Sequence, residues 1–438
     1  MLEFLHLKNV GPAPEMKMEL APRLNLITGD NGLGKSFLLD IAWWALTRRW
    51  PAEVNPRLTA GMRPLPPRSG KASISFSFTR QAGTEQYESF YDRATQSWSG
   101  RSGRPSNPGL VLYAQVDGSF AVWDPARNYW KKSGNRDVQD RPPAYVFSPK
   151  DVWDGLQGAE GSLCNGLVRD WASWQRENGR PFQLLKAALQ VMSPSRTDKL
   201  SPGELTRISL DDVRDIPTLR MPYGIDVPIV HASAGMRRMA ALTYLLVWAW
   251  TEHRNASRLI GQEPTSQLVF LVDEVETHLH PRWQRLILGS LLKVVEELMT
   301  GGDAHVQVLA ATHSPLVAAS VEPLFDEQRD ALWHLEMKNS AVTLGQALWA
   351  KQGDVLNWLV SETFGLRQAR SAEAEEAVEA AEAFMRGDLP RLPEGLRTKK
   401  AIDARLRELL PDHDPFWPRW LVETRQVPHG SGRSRRRQ

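Results

Sequence analysis

The segment 29–36 combines glycines, a lysine and a serine at a spacing suited to holding a polyphosphate. It reads GDNGLGKS. Glycines at positions 29, 32 and 34 can adopt backbone angles that a Cβ forbids, so successive N–H groups turn inward at the positive end of the following helix. The lysine can then reach the β- and γ-phosphates, and the serine hydroxyl can bind Mg²⁺. We therefore expect ATP as the ligand, contacted by Asn31, Gly32, Gly34, Lys35, Ser36 and Phe37.

Two carboxylates far downstream could supply the catalytic chemistry for such a ligand. The apolar run 268–272 ends in Asp273 and Glu274, as is typical of a strand buried on both faces in a parallel sheet. Asp273 is predicted to support Mg²⁺ through water, and Glu274 to orient and deprotonate the attacking water. The alternative is a core strand that ends in a charged turn, which the phosphate-binding segment disfavours.

A histidine follows a third apolar run. Residues 306–311 lead directly into Thr312, His313, Ser314 and Pro315. An imidazole held at the carboxyl end of a strand can hydrogen-bond a γ-phosphate and so distinguish ATP from ADP. A single histidine is commonly only a polar turn residue, but the position of His313 after a buried strand favours a functional role.

Ser233 and Gly235 form a second candidate phosphate site. They belong to the segment ASAGMRR at 232–238, which opens a long apolar helix. A serine hydroxyl and a glycine N–H at the start of a helix can contact phosphate. Because the chain already has a phosphate-binding segment of its own, we expect Ser233 and Gly235 to contact ATP held by a second subunit.

These residues must be positioned by elements that the apolar pattern indicates. Residues 24–28 have the pattern of a buried strand, and apolar residues between 37 and 46 recur at helical spacing. Alternation at Ile74, Phe76 and Phe78 predicts a half-exposed strand whose hairpin partner lies within 84–97. Further helices are predicted over 182–192, 283–299, 355–364, from a Ser371 cap through Met385, and over 398–410.

The order of the motifs resembles that of the ABC-type ATPase heads of the structural-maintenance-of-chromosomes class. It is more similar still to the short AAA-type ATPases related to the overcoming-lysogenization-defect family. The motifs are LEFLHLKNVG at the start, GDNGLGKS, SAGMRR, LVFLVDEVETHLHP and ATHSP, and they cover residue 1 to about 350. The resemblance implies an α/β fold, an ABC-type P-loop ATPase head with a mixed sheet core and an antiparallel β lobe. A short helical insertion and a helical carboxyl-terminal region complete it.

The resemblance also implies roles for individual residues. In that family two heads sandwich two nucleotides, so Ser233 and Gly235 become contacts to the partner's ATP and His313 becomes the switch histidine. Residues 276–281 become the dimer-facing loop. The segment departs from the usual leucine-serine-glycine-glycine signature in having Ala234. The implied Mg²⁺ contacts are Ser36, Asp273 and Gln115, the glutamine that links the metal to the rest of the fold.

The compact head without long coiled coils further resembles the ATPases of Septu-type and retron-associated antiphage defence, which work beside an HNH nuclease. The supporting motifs are GDVLNWL at 353–359, FGLR at 364–367 and DPFWPRW at 414–420. By implication, an ATP-bound homodimer or a higher oligomer restrains a separate effector nuclease or positions it on DNA. A nuclease within this chain is not expected, because the DHD triplet at 412–414 follows helical sequence instead of ending a buried strand.

Length and composition indicate a multi-unit protein of a reducing compartment. The 438 residues contain a single cysteine, Cys164, and no signal-peptide pattern or long uncharged apolar run. A cytoplasmic protein with no membrane span and no disulfide is therefore expected. The expected divisions are the first ATPase half at 1–148, a helical insertion at 149–230, the second ATPase half at 231–350, a helical partner-binding region at 351–425 and a basic disordered tail at 426–438.

Nucleic-acid contact stays open on the charge pattern. The net charge of +3 becomes −1 once the four tail arginines at 433, 435, 436 and 437 are set aside. The segment 48–71 could contact phosphates or form a solvated proline-rich loop, since it carries Arg48, Arg49, Arg57, Arg63, Arg68 and Lys71. His278 and His280 are interpreted as part of the dimer-facing loop, because no full metal-ligand set accompanies them.

Three other functions stay open on the sequence alone. A low-turnover scaffold or sensor would bind ATP without hydrolysing it. A DNA-repair or chromosome-organising ATPase would be stimulated by DNA without a nuclease partner. A transporter subunit is disfavoured by the sequence from Asp273 to His280 and by the absence of coupling features.

Overall fold

The computed structural model of the chain describes residues 1–67, 70–80, 83–99, 107–128, 130–133, 136–139, 143–159, 161–195, 197–299 and 304–426. Within these ranges, no helix is both long enough and apolar enough to cross a membrane. The chain folds as two compact units, Met1–Trp358 and Leu359–Gln438. Arg68 and the arginines of the basic tail lie outside the described residues.

Among the described residues, all strands belong to the first unit, whereas the second unit is helical. The strands are β1 (Leu2–Lys8), β2 (Glu15–Glu19), β3 (Leu24–Gly29), β4 (Ser73–Arg80), β5 (Gly83–Asp92), β6 (Ser97–Trp98), β7 (Leu110–Ala114), β8 (Phe120–Trp123), β9 (Trp130–Ser133), β10 (Arg136–Gln139), β11 (Ala144–Phe147), β12 (Leu156–Gln157), β13 (Ser162–Cys164), β14 (Ser201–Pro202), β15 (Thr218–Arg220), β16 (Asp226–Pro228), β17 (Gln267–Asp273), β18 (His305–Ala311), β19 (Asp330–Lys338) and β20 (Ala341–Ala347). The helices are α1 (Lys35–Thr47), α2 (Pro51–Val54), α3 (Pro149–Asp154), α4 (Leu167–Glu177), α5 (Arg180–Val191), α6 (Ala234–Leu259), α7 (Pro281–Gln284), α8 (Ile287–Leu298), α9 (Pro315–Val321), α10 (Val355–Leu359), α11 (Ala372–Arg386), α12 (Lys399–Leu409) and α13 (Phe416–Gln426).

A mixed sheet forms the centre of the first unit. Its strand order is β11-β8-β7-β17-β18-β3-β19-β20. The strands from β7 to β19 in that order run parallel, whereas β8, β11 and β20 pair antiparallel. The carboxyl ends of β3, β7, β17 and β18 therefore meet at one edge, where ligands of parallel sheets bind. The predicted α/β fold with a mixed core is confirmed.

An antiparallel sheet in the order β2-β1-β4-β5-β6 forms the second layer and packs its apolar face with α1. The alternation at 74, 76 and 78 and its hairpin partner are confirmed as β4 and β5. Arg48 follows α1, and its guanidinium lies 4.3 Å from the ring centroid of Phe76. Burial lowers the pKa of Arg48 to about 10. The Arg48 guanidinium is therefore engaged in aromatic contacts within the first unit.

Other cations of the basic segment also have partners within the chain. Arg57 lies 3.1 Å from a carboxylate oxygen of Asp151. Arg63 lies 3.4 Å from Glu53, and Arg49 donates to the side chain of Gln139. In the described part of the segment 48–71, these arginines are therefore engaged with side chains of the same chain.

The stretch 149–230 combines helices α3, α4 and α5 with short strands. A buried polar contact ties it to α6: the Tyr244 hydroxyl donates to Asp170 at 2.7 Å and lies 3.1 Å from the Cys164 sulfur. Burial raises the pKa of Cys164 to about 12. The single thiol is therefore a packed structural group with little nucleophilic character.

The predicted continuous helix over 283–299 is wrong at its start. The structure has α7 and α8 with a break at residues 285–286. The Trp283 indole donates to the Met192 carbonyl, and the Gln284 amide donates to the Leu279 carbonyl. Leu286, between the two helices, has a φ of −126° and a side chain that is 37% exposed. Tertiary contacts therefore override an apolar spacing that fits one helix.

The second unit has a small helical core of its own. Ser371 caps α11 by accepting from the Ala374 N–H, as predicted. Helix α10 ends at Leu359, earlier than the predicted Phe364. Trp420 is fully buried in the core and Phe416 is nearly so. Asp414 of the DHD triplet binds Arg370 and caps the Phe416 N–H, which gives it a structural role.

Candidate active site

The predicted phosphate-binding segment, residues 29–36, joins β3 to α1 through three glycines in left-handed backbone conformations. Their φ angles are 137° at Gly29, 79° at Gly32 and 103° at Gly34. A Cβ added to Gly29 would lie 2.2 Å from the Leu335 carbonyl oxygen, whereas one added to Gly32 would meet nothing within 4 Å. Close approach therefore requires glycine at 29, and backbone conformation alone requires it at 32.

Lys35 is folded over the segment that precedes it. Its Nζ donates to the carbonyls of Gly29 at 2.8 Å and Asp30 at 2.9 Å. The side chain is buried, and this burial lowers the pKa of Lys35, while the charge of Glu274 raises it. An anion bound in the concavity would replace two neutral acceptors with charged ones, which form stronger hydrogen bonds.

The other predicted contacts of this segment differ in exposure. Asn31 and Gly32 are exposed, and Ser36 is half-buried. The Phe37 ring lies so close to Gly11 that an added Cβ there would be 2.4 Å from it. Phe37 therefore packs under the turn after β1.

Asp273 ends β17 beside the start of α1. Burial raises its pKa to about 6, although a hydrogen bond from Ser36 lowers it. Its Oδ1 has no hydrogen-bond partner among the described residues. A buried carboxylate oxygen without a partner next to a serine hydroxyl is a donor set that suits a hard divalent cation.

Glu274 and His313 are paired at the ends of adjacent strands. Glu274 Oε1 lies 3.0 Å from His313 Nε2, and both side chains remain partly exposed. Glu274 has a φ of 43°, which is unusual for a residue with a Cβ, and its N–H donates to the Ala311 carbonyl at 3.0 Å. The strained backbone aims the carboxylate away from the strand axis and toward the imidazole.

Glu276 is a positioning residue that the sequence reasoning did not single out. Its Oε1 accepts from the Thr312 hydroxyl and from the His313 N–H, each at 2.7 Å. The loop after β17 therefore holds the turn that carries His313. The signal in the sequence was only a third carboxylate two residues beyond Glu274.

Gln115 follows β7 at the same sheet edge. Its side-chain oxygen accepts from the Ser119 hydroxyl, and its backbone N–H donates to the Ser119 carbonyl at 3.0 Å. Its Nε2 has no partner among the described residues. The structure thus places Gln115 in a tight turn of its own, at the end of the strand that pairs with β17.

Ser233 and Gly235 form the start of α6. Ser233 is exposed and caps the helix by accepting from the Met236 N–H at 3.4 Å. A Cβ on Gly235 would lie 3.0 Å from the His278 carbonyl. Within the described residues, neither residue hydrogen-bonds the segment 29–36, so the helix start presents its hydroxyl to solvent. His280 caps α7 in the same loop region.

Arg238 is the second residue that the sequence reasoning missed. It donates to the carbonyl of Val116 at 2.9 Å and to that of Glu274 at 3.3 Å. Burial lowers its pKa, and the nearby charge of Glu276 raises it. Arg238 therefore joins α6, the Gln115 turn and the strand end that carries Glu274.

A comparison with protein families decides the relationship. Residues 24–319 match the family described as "AAA domain, putative AbiEii toxin, Type IV TA system". This chain belongs to that AAA domain family. The matched range runs from β3 through α9, so the AAA domain includes the segment 29–36, Asp273, Glu274, Ser233 and His313.

Individual relatives of this AAA domain protein are distant. It is 20% identical over 386 residues to the Septu protein PtuA of Bacillus thuringiensis, covering 85% of this chain and 86% of the relative. It is 24% identical over 183 residues to the Retron Vc95 probable ATPase of Vibrio cholerae serotype O1 biovar El Tor. The latter match covers 40% of this chain and 31% of the relative, so it spans about a third of that protein.

Solved structures similar to the AAA domain protein include the SMC head domain from Thermotoga maritima. That match has a TM-score of 0.38 at 16% identity and covers 80% of this chain and 99% of the other. A second is the SmcHead bound to the C-winged helix domain of ScpA, with a TM-score of 0.42 at 13% identity and coverage of 80% and 98%. The AAA-type family that the motifs predicted is confirmed by the family match.

A half-buried acid lies one helical turn beyond Ser36. Asp40 accepts from the Tyr113 hydroxyl at 2.9 Å, and burial raises its pKa from 3.8 to about 7. The folded chain therefore keeps a proton that the unfolded chain releases between these values. Stability is expected to fall as the pH rises from about 4 to about 7, and the loss persists at higher pH.

Asp40→Asn is expected to remove this dependence, because the amide stays neutral. Between pH 5 and pH 8.5 the wild type should lose on the order of 2–3 kcal/mol more of its unfolding free energy than the variant. Urea unfolding midpoints of both proteins at the two pH values test this. Asp211→Asn, at an exposed aspartate, is the control and should follow the wild type. Parallel pH dependence in wild type and Asp40→Asn would contradict the assignment.

Proposed function

We propose that this chain is an ATP-hydrolysing head that dimerises around two nucleotides and controls a separate HNH-type effector nuclease in antiphage defence. The AAA domain family and the converged strand ends support the ATPase part. The names of the Septu and retron relatives support the defence context. The helical region 351–425 is proposed as the surface for the effector, and the ranges 1–148 and 231–350 as the two ATPase halves around the insertion 149–230.

The residues present fit MgATP. Gly32, Gly34 and Asn31 would direct backbone N–H groups at the phosphates, and Lys35 would exchange its carbonyl partners for phosphate oxygens. Ser36 and Asp273 would hold Mg²⁺, since the unpartnered Oδ1 and the hydroxyl are hard oxygen donors. Gln115, in the turn after β7, is proposed as a further contact to Mg²⁺. Mg²⁺ would neutralise charge on the β- and γ-phosphate oxygens.

Glu274 is proposed as the general base. The His313 imidazole and the Thr277 hydroxyl, 3.0 Å and 3.4 Å from its two oxygens, fix the orientation of its carboxylate. Arg238 and Glu276 hold the backbone on either side of this pair. An attacking water that hydrogen-bonds Glu274 Oε2 would donate its proton there, while His313 is placed to turn toward a γ-phosphate.

The exposed hydroxyl of Ser233 is the observation that supports the proposed dimer. It stands at the start of a 26-residue helix, where N–H groups attract anions. In the described residues it has no bond to the phosphate-binding segment of its own chain. A second copy that supplies ATP to this helix start accounts for both facts. Two-fold symmetry then creates two equivalent sites.

Mixing two inactive variants tests the shared site. Lys35→Ala removes the phosphate contact, and Ser233→Asp keeps a good helix cap but places an anion against the phosphates. Each variant alone is expected to hydrolyse ATP at least ~100-fold more slowly than the wild type. An equimolar mixture should recover about a quarter of wild-type turnover. Random pairing makes about half of the dimers mixed, and each mixed dimer contains one intact site of two. A mixture as inactive as its components would contradict the shared site.

The defence role is tested in cells. The chain is expressed with its neighbouring genes, and phage plating is compared between the wild type and Lys35→Ala. Protection should fall by roughly 100-fold or more in the variant, in step with its loss of ATP binding. Lys186→Ala, at an exposed lysine of α5, should protect fully. Equal protection by Lys35→Ala and wild type would exclude an ATP-controlled effector.

A further inference from the structure

A cavity of about 280 Å³ lies beside the candidate active site and is separate from its phosphate-binding segment. It is bounded by the turn after β7, by α3, by the first half of α6 and by the loop after β17. None of residues 29–37 lines it. Its wall includes Gln115 and Arg238 of the candidate active site, but the proposed phosphate contacts do not use this space.

The wall of the cavity is mostly apolar. The half-exposed indole of Trp153 faces it from α3, and aliphatic side chains line the opposite side. Its apolar lining includes Phe120, Trp153, Leu242, Leu245, Val272 and Val275. Its volume is close to the lower end of small-molecule pockets, which start at about 300 Å³. Such a space suits a body of two or three fused or linked rings.

The charge on the lining is positive. Arg237 is exposed and forms no ion pair in the described part of the chain. Arg238 donates to backbone carbonyls, and the nearby carboxylates of Glu276 and Asp273 compensate part of its charge, so Arg237 is the cation that a ligand would meet. His278 adds an exposed imidazole. The carboxylate of Asp117 also lines the cavity, but its oxygens accept from Ser119 and Thr59.

We propose that this cavity binds a small amphipathic anion. Its apolar rings would fill the space beside Trp153 and Leu245, and its anionic group would meet Arg237. The lining includes the neighbours of Ser233 and Glu274, namely Ala234 and Val275. A bound ligand would therefore fix the helix start relative to the catalytic strand and alter turnover. This regulatory consequence rests on the proposed function, whereas binding itself does not.

Two fluorescent probes test the site in the full chain without nucleotide. The anionic probe is 1-anilinonaphthalene-8-sulfonate, and the neutral probe is N-phenyl-1-naphthylamine, which has the same rings without the sulfonate. One molecule of either should bind per chain. Ala241→Phe, on the cavity wall, should weaken both at least ~10-fold by filling the space. Ala256→Phe, a half-buried position farther along α6, should not.

Arg237→Gln separates the ionic contribution from general apolar binding. It should weaken the anionic probe by about 5- to 10-fold and leave the neutral probe unchanged, because only the former loses a charge partner. Arg237 is exposed, so the fold should tolerate the change, and thermal unfolding checks this for every variant. Wild-type affinity in a folded Ala241→Phe, or equal effects of Arg237→Gln on both probes, would overturn the proposal. These binding results are independent of whether ATP is hydrolysed.

Discussion

Lys35→Ala is expected to weaken MgATP binding by about 100-fold or more. The ammonium would make charge-assisted hydrogen bonds to phosphate oxygens, each worth about 1.5–3 kcal/mol, and every 1.4 kcal/mol is about tenfold in affinity. The nucleotide-free fold should persist. Without the Lys35 ammonium, the Gly29 and Asp30 carbonyls lose one hydrogen bond each, but the turn around them remains. Titration calorimetry with MgATP or a slowly hydrolysed analogue measures the change.

The control is Lys186→Ala, which removes one positive charge far along the chain on an exposed face of α5. It should bind MgATP as the wild type does. Unchanged affinity in a folded Lys35→Ala would mean that the segment 29–36 is not the nucleotide site. That outcome would remove the basis of the proposed ATPase.

Glu274→Gln is expected to slow ATP turnover by about 10²–10⁴-fold while leaving MgATP affinity nearly unchanged. The amide keeps the size of the carboxylate but cannot accept a proton at neutral pH, so the chemical step loses its general base. Nucleotide would then persist between the two heads. Phosphate release measures turnover, and light scattering with ATP should show a dimer that outlives the wild-type one.

Glu263→Gln, at an exposed glutamate in the loop before β17, should hydrolyse ATP at the wild-type rate. A Glu274→Gln protein that remains monomeric with saturating ATP would argue against the sandwich of heads. A variant with wild-type turnover would assign the base to another residue. The two readouts separate failure of the chemistry from failure of the assembly.

Sequence patterns located most elements because burial on both faces leaves a plain apolar signature. β3, β17 and β18 were predicted within one residue of their observed bounds, since continuous apolar runs cannot face water. The helix over 283–299 failed for a different reason. Its spacing satisfies one helix, but Trp283 donates to the Met192 carbonyl and Gln284 accepts from the Ser314 hydroxyl, and these bonds to other segments accompany the break. Such bonds depend on neighbours that the local pattern does not contain.

The fate of the basic residues shows the same limit. From the sequence, Arg48 and Arg57 are simply two cations in a proline-rich stretch. In the fold, Arg48 lies over the ring of Phe76 and Arg57 pairs with Asp151. Charge is a property of the residue, whereas its availability depends on what the chain brings alongside it.

The sequence by itself determined the chemistry that we propose for this protein. Glycine spacing, Lys35 and the carboxylates after an apolar run predict phosphate and metal ligands, because those functions require particular atoms at particular separations along the backbone. Only the tertiary structure decided which groups act together. The Glu274 and His313 pair, the bridge made by Arg238 and the cavity beside Gln115 join residues far apart in the chain, and parallel strand order, which local patterns do not encode, sets these neighbours.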